Sequence, residues 1–414
     1  MMEELPVEPD PSASTIATDP ALVASGGTPS PSGGDAPSSA DAPPSRSDAR
    51  APSGLPRAGG GAADAGRAGS PGDGPRGDAV PAPARGAPAE DGPRLRIGVS
   101  SCLLGNRVRY DGGHKHDPYV TQTLGAWVEY VPVCPEVEAG FGLPRPTLHL
   151  KGAPDAPRLV FTDSGEDVTE RMLTWSARRV RELQALDLDG YILKNRSPSC
   201  GMERVKVFAA KGLQSGTARG TFASVLLEAM PLLPVEEEGR LQDDRLRENF
   251  VERIFALHRW KAFLRTAPGP AQLVAFHTRQ KMTLLSHGRL AYEELGRLVA
   301  SAGSAKTSRG DAVGVASVFD AYGRAYMAAL RHPATRGRRA DVLHHLAGHY
   351  KRVLPADDRA ELSARIDEYR RGLVPLIVPM TLLTHHLRHH PDPWVAGQDF
   401  LDPYPAELML RNHV

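Results

Sequence analysis

The chain has 414 residues, 50 of them Lys or Arg against 49 Asp or Glu, and 41% are hydrophobic. So even a balance favours neither nucleic acid nor membrane in bulk, and no run approaches the roughly 20 apolar residues that cross a bilayer. Three cysteines are too few, and odd in number, for an extracellular disulfide framework.

The opening MMEELPVEPD lacks the basic and apolar blocks of a secretion signal, and a reducing cytoplasm is the expected home. Residues 1–94 hold 17 of the 37 prolines and no aromatic residue or cysteine. A stretch of this kind buries too little apolar surface to offset its ordering entropy, so it is expected to be a disordered tail without chemistry.

Order is expected from Leu95. RLRIGVS, WVEYVPV, RLVFTD and LDGYIL are short apolar runs with β-branched or aromatic enrichment, and they read as strands. Between them Asp167–Leu186 repeats Val168, Met172, Leu173, Trp175 and Val180 at helical spacing. Strands alternating with helices predict a Rossmann-like α/β domain with a mostly parallel sheet, placed at 95–254. From about Leu241 only helical periodicity remains, through ENFVERIFALHRWKAFLR to PADDRAELSARIDEYRRG. An all-α domain is therefore placed at 255–414. Its first part is basic: Trp260–Arg352 carries 15 Lys+Arg against 5 Asp+Glu. That is the footprint of a polyanion partner, or else a solvated face.

Cys102, Cys134 and Cys200 each follow an expected strand, among small or turn-forming neighbours such as Ser101, Pro135 and Gly201. Ligands of parallel sheets gather at such strand ends. Four readings stay open on spacing alone: inert core thiols, a zinc site completed by His, an iron–sulfur cluster with one iron lacking a protein ligand, or a redox or nucleophilic thiol. Nearby stand Asn106, Arg107, Arg109, Asp111, Glu136, Lys194 and Ser197. Glu136 reads as a general base in a partly dry site, or a surface turn residue. Ser197 reads as a hydrogen-bond partner of substrate or water, or turn chemistry. Asp111 is a second acid or a turn-former, and Arg107 and Arg109 are candidates for a phosphate or a ring carbonyl.

GVSSCLLGNRVRYDGG, VCPEVEAGFGLPRP, LKNRSPSCG and EGRLQDDRLRENF resemble the motifs of the thiouracil desulfurase (TudS) family. FHTRQKMTLLSHGRLAYEELG, DVLHHLAGHYKR and VPLIVPMTLLTHHL resemble the YbgA-like domain. The fused arrangement is similar to the RudS type. That resemblance implies a cytoplasmic desulfidase removing sulfur from 4-thiouridine in tRNA, releasing hydrosulfide without net redox change. Stand-alone members imply action on free thiouracil. It further implies a 4Fe-4S cluster held by Cys102, Cys134 and Cys200, with one iron open to a soft sulfur ligand. A cluster-bearing RNA-binding or redox-sensing module is the non-enzymatic alternative.

In the helical half Lys281 and Arg289 are the candidates for RNA contact. His277 lies one turn before Lys281, and Glu293 one turn after Arg289, which also suits an intrahelical pair. His344, His345 and His349, and the run His385, His386, His389 and His390, read as core or surface residues, since no H-E-x-x-H pattern accompanies them.

Overall fold

The computed structural model describes residues 94–209, 212–304 and 312–414. The expectation for the tail lies outside them, Arg94 apart.

The first half runs β1 (Leu95–Ser100), β2 (Val128–Val133), α1 (Pro135–Glu138), β3 (Leu148–Ala153), β4 (Ala156–Phe161), α2 (Thr169–Ala185), β5 (Gly190–Leu193), β6 (Val205–Phe208), β7 (Gln214–Ala218), α3 (Thr221–Ala229) and β8 (Val235–Glu237). All four expected strands and the long helix are present. Two sheets form rather than one. The first, ordered β2-β1-β5-β8, is parallel throughout. The second, ordered β4-β3-β6-β7, is antiparallel except between β3 and β6. β6 and β7 are short, four and five residues, and carry Lys206, Gln214, Ser215 and Thr217, which is why no apolar run announces them.

β1 is the centre of the parallel sheet. Ile97 and Val99 are fully buried, as is Tyr191 on β5. A Cβ at Gly98 would stand 2.2 Å from the Tyr191 ring, so glycine alone lets that ring lie across β1.

The second half is helical: α4 (Asp244–Arg265), α5 (Pro270–His287), α6 (Arg289–Ser304), α7 (Ala312–Ala329), α8 (Arg336–Gly348), α9 (Ala356–Arg371), α10 (Ile377–His389) and α11 (Pro393–Ala396). Asp243 caps α4, its carboxylate accepting the N–H groups of Arg245 and Leu246 at 3.0 Å. The apolar run 271–300 is broken at Gly288 into α5 and α6. Among the described residues no helix is long and apolar enough to cross a membrane.

α4 passes residues 254 and 255 unbroken. Val251 and Ile254 pack with Ile97, Val99 and Ile192 of the sheet, while Trp260 sits among Phe263, Phe276 and Tyr322, with ring centroids 5.2–5.5 Å away. Much of the basic charge counted in this half is engaged internally. Lys261 and Arg265 pair with Asp187, and Arg279 pairs with Asp399, all outside the basic segment. Arg339 is buried against Glu248, which also accepts from Tyr404 Oη at 2.9 Å.

Breaking a buried pair strands the remaining charge. Glu248→Gln should therefore cost about 3–5 kcal/mol, read as a lower urea midpoint at unchanged slope. An unaltered midpoint would show that water or a neighbour replaces the carboxylate.

Candidate active site at the ends of three parallel strands

The three cysteines are brought together by the sheet. In register, Ser100 of β1 pairs with Val133 of β2, and Val99 pairs with Ile192 of β5. These three adjacent strands end level. Cys102 lies two residues past β1, in a 3-10 turn, and Cys134 directly follows β2. Cys200 returns to the same place through the loop 194–200. That loop is folded by Ser197, whose hydroxyl accepts the N–H groups of Ser199 at 3.3 Å and Cys200 at 3.1 Å. All three thiols line one cavity of about 350 Å³. The chain leaves β1 for β2 on one side and later returns to β5 on the other, so the cavity lies where α/β sheets bind ligands.

Gly220 backs this loop. A Cβ there would lie 2.6 Å from the Ser199 carbonyl carbon and oxygen and 3.0 Å from the Cys200 nitrogen, all backbone atoms that cannot swing away.

The thiols resist ionisation. Burial pushes Cys102 up to about 11, with Cys134 adding to it, against Lys194 and Arg109. Burial also raises Cys134. Cys200 is lifted well above the usual thiol range by burial, opposed by a hydrogen bond from the Ser100 hydroxyl and reinforced by Glu136 and the other two cysteines. A cation-bearing group that replaces the three protons would relieve this. Among the described residues no three His, Cys, Asp or Glu side chains stand close enough to share one metal ion. The three sulfurs border one cavity from the turns and loops that follow three strands, and thiolates are the donors that iron–sulfur groups take.

Glu136 and Ser197 also line the cavity. The carboxylate is half-buried and already partnered. Arg145, itself buried, donates its Nε to Glu136 Oε2 at 2.9 Å, with Nη2 also on that oxygen. The Ser199 hydroxyl donates to Oε1 at 3.0 Å. Arg145 is further fixed on the Val108 carbonyl at 3.1 Å. Neither Arg145 nor Ser199 was singled out from sequence. The available signal was an arginine between two prolines in GLPRP, inside an otherwise apolar stretch. Lys194 lines the same cavity and is tied to Asn195 and Glu238.

Other candidates fall elsewhere. Arg109 reaches the cavity and lies 3.7 Å from Asp111. Asp111 does not line the cavity: it is exposed and accepts the Gly113 N–H at 3.0 Å, a bond that holds its carboxyl below the usual range. Its geometry is that of the turn-former, not the second acid. Arg107 is exposed and also outside the cavity wall. Lys281 rests over the Trp394 ring at 5.3 Å, and Arg289 pairs with Glu293 at 2.8 Å. His277 is buried, 3.1 Å from Tyr322 Oη and stacked on Tyr292, which removes it from phosphate contact. His349 stacks on Trp394 and bonds Asp392 at 3.0 Å. His344 meets Asp367 at 3.1 Å.

A thiol-lined crevice at the carboxyl edge of a parallel sheet, with a salt-bridged acid on its wall, marks an α/β protein with a candidate ligand site at that edge. Residues 97–238 match the family described as 2-thiouracil desulfurase, and 281–405 match a family described as a protein of unknown function, DUF1722. YbgA of Escherichia coli, described as uncharacterized, is 29% identical over 41% of this chain and 95% of its own length. YbbK of Bacillus subtilis, described likewise, is 33% identical over 32% of this chain and 89% of its own length. A solved structure described as a 4Fe-4S-dependent thiouracil desulfidase, TudS, is 30% identical, covers 36% of this chain and 94% of that one, and superposes with a TM-score of 0.30. The chain belongs to the 2-thiouracil desulfurase family, fused to a YbgA-like helical region.

Gly220→Ala should push the Ser199–Cys200 backbone aside and destabilise the fold by about 1–3 kcal/mol. Gly337→Ala, where a Cβ meets nothing within 4 Å, should be neutral or stabilising. Urea midpoints of the two variants check the contrast, and equal midpoints would refute it.

Proposed function

We propose that this protein is a desulfidase that converts a thiolated uracil ring, carried as 4-thiouridine in tRNA, to uracil with release of hydrosulfide. The observation that carries the reading is the convergence of Cys102, Cys134 and Cys200 on one cavity beside Glu136. Family membership supports the chemistry, and Lys115 and Arg196, exposed on the cavity wall, support a phosphate-bearing substrate such as RNA.

Cys102, Cys134 and Cys200 would hold a 4Fe-4S cluster. Such a cluster supplies Lewis acidity toward a soft thiocarbonyl sulfur, drawing electron density from the C–S bond. The remaining work belongs to the chain. The ring carbon takes oxygen from water, the C–S bond breaks, and sulfur departs as hydrosulfide, so no electrons change hands. Glu136 Oε1 or Oε2 accepts the proton of the attacking water. Arg145 and Ser199 each hold one of its oxygens, which fixes the direction in which the carboxylate can act. Ser197 accepts two backbone N–H bonds, leaving its own O–H to donate to a ring oxygen or the water. Lys194 and Arg145 serve the carboxylates of Glu238 and Glu136, while Lys115 and Arg196 add exposed cations to the wall suited to an anionic leaving group and to phosphate.

Anaerobically reconstituted protein should contain iron and acid-labile sulfide and release hydrosulfide from thiolated tRNA. Serine at any one of the three cysteines should abolish both properties; full activity in such a variant would discard the ligand set. Glu136→Gln should lower kcat by about 10²-fold or more at nearly unchanged KM, and an unaltered kcat would remove it as the base. Faster turnover of free thiouracil than of thiolated tRNA would transfer the substrate assignment to the free base.

A further inference from the structure

A second cavity, of about 750 Å³, adjoins the first, and Leu148, Asn195, Arg196 and Pro198 face both. Part of its wall is the outward face of β3 and β6. His149, Lys206 and Phe208 stand on one face of these paired strands and line the cavity, and Leu150 and Val205, though buried, also border it. The rings of His149 and Phe208 meet edge to face at 5.7 Å. Lys206 and Arg204 are exposed, and Arg204 meets Glu203 at 4.0 Å. The acids of this cavity are engaged: Glu203 by Arg240 at 2.9 Å, and Glu237 by the Met202 N–H at 2.8 Å.

We propose that this second cavity receives the nucleotide adjoining the thiolated one, so that the substrate is taken as part of an RNA strand. The proposal rests on the desulfidase reading of the first cavity and extends it. A sheet face carrying aromatic rings beside exposed cations suits single-stranded nucleic acid, because rings stack bases while cations meet phosphates. Two neighbouring nucleotides are joined by one phosphate, and Arg196, exposed on the wall between the cavities, stands where that phosphate must pass. A free base would engage only the first cavity. An acidic peptide would engage the cations and leave the ring pair idle.

Fluorescence anisotropy of a labelled single-stranded oligouridylate, with the full chain reconstituted anaerobically, tests the proposal independently of turnover. Arg204→Ala combined with Lys206→Ala should weaken binding about tenfold and reduce the slope of log K against log salt by about one per cation removed. Phe208→Leu, which keeps apolar bulk, should weaken binding about tenfold with the slope unchanged. Unaltered affinity in all these variants would overturn the subsite, as would displacement of the oligonucleotide by poly-glutamate at equal strength. Hydrosulfide release from thiolated tRNA and from free thiouracil by the parent chain is measured in parallel, and release from either counts as turnover. Its absence defeats the desulfidase reading, whereas its presence with unweakened oligonucleotide binding by the variants defeats the subsite alone.

Discussion

The parallel pairing of β2, β1 and β5 is the constraint on which the site depends. Cys102 and Cys134 lie 32 residues apart, and Cys200 a further 66 along the chain. Only strands that run the same way and stop at the same level can deliver all three to one place. A slip of one residue would turn the side chains of a strand to its opposite face and carry its cysteine with it. The register is protected by burial of Ile97, Val99, Tyr191 and Ile192, and by the close seat of the Tyr191 ring on Gly98. The hydrophobic effect thus sets the positions of sulfur atoms that make little use of it themselves.

Around those sulfurs the charge is arranged in opposition. Burial disfavours thiolate, while Lys194 and Arg109 favour it at Cys102. Glu136 stands among these groups already clasped by a guanidinium and a hydroxyl. Clasped in this way, it presents its remaining lone pairs in fixed directions. The electrostatic work is done at folding, when Arg145 is buried.

Much of this was legible in the sequence. β1, β2, β4 and β5 announce themselves by apolar, β-branched runs, and α2 by its spacing. The cysteines were readable because each follows such a run, among small residues that a core thiol seldom keeps. What stayed hidden has physical reasons. β6 and β7 carry polar residues and no apolar run, so the second sheet passes for loop. Arg145 reaches Glu136 through the fold of a proline-rich segment, a contact no local pattern encodes. Asp111 resembles an acid candidate by its neighbours, yet the Gly113 N–H claims it for the turn. The basic tally of 260–352 overstates the free positive surface, because the partners of Lys261, Arg265 and Arg279 lie far away in sequence.

The 22 residues of α4 form one continuous rod, keyed into the sheet at Ile254 and into the aromatic nest at Trp260. Ile254 rests so near Gly190 that a Cβ there would come within 2.6 Å of it. No hinge is available along such a rod without unseating one end. The sheet core and the aromatic nest therefore share one stretch of backbone, and loosening either is felt at the other, so the two are expected to open as a single cooperative unit.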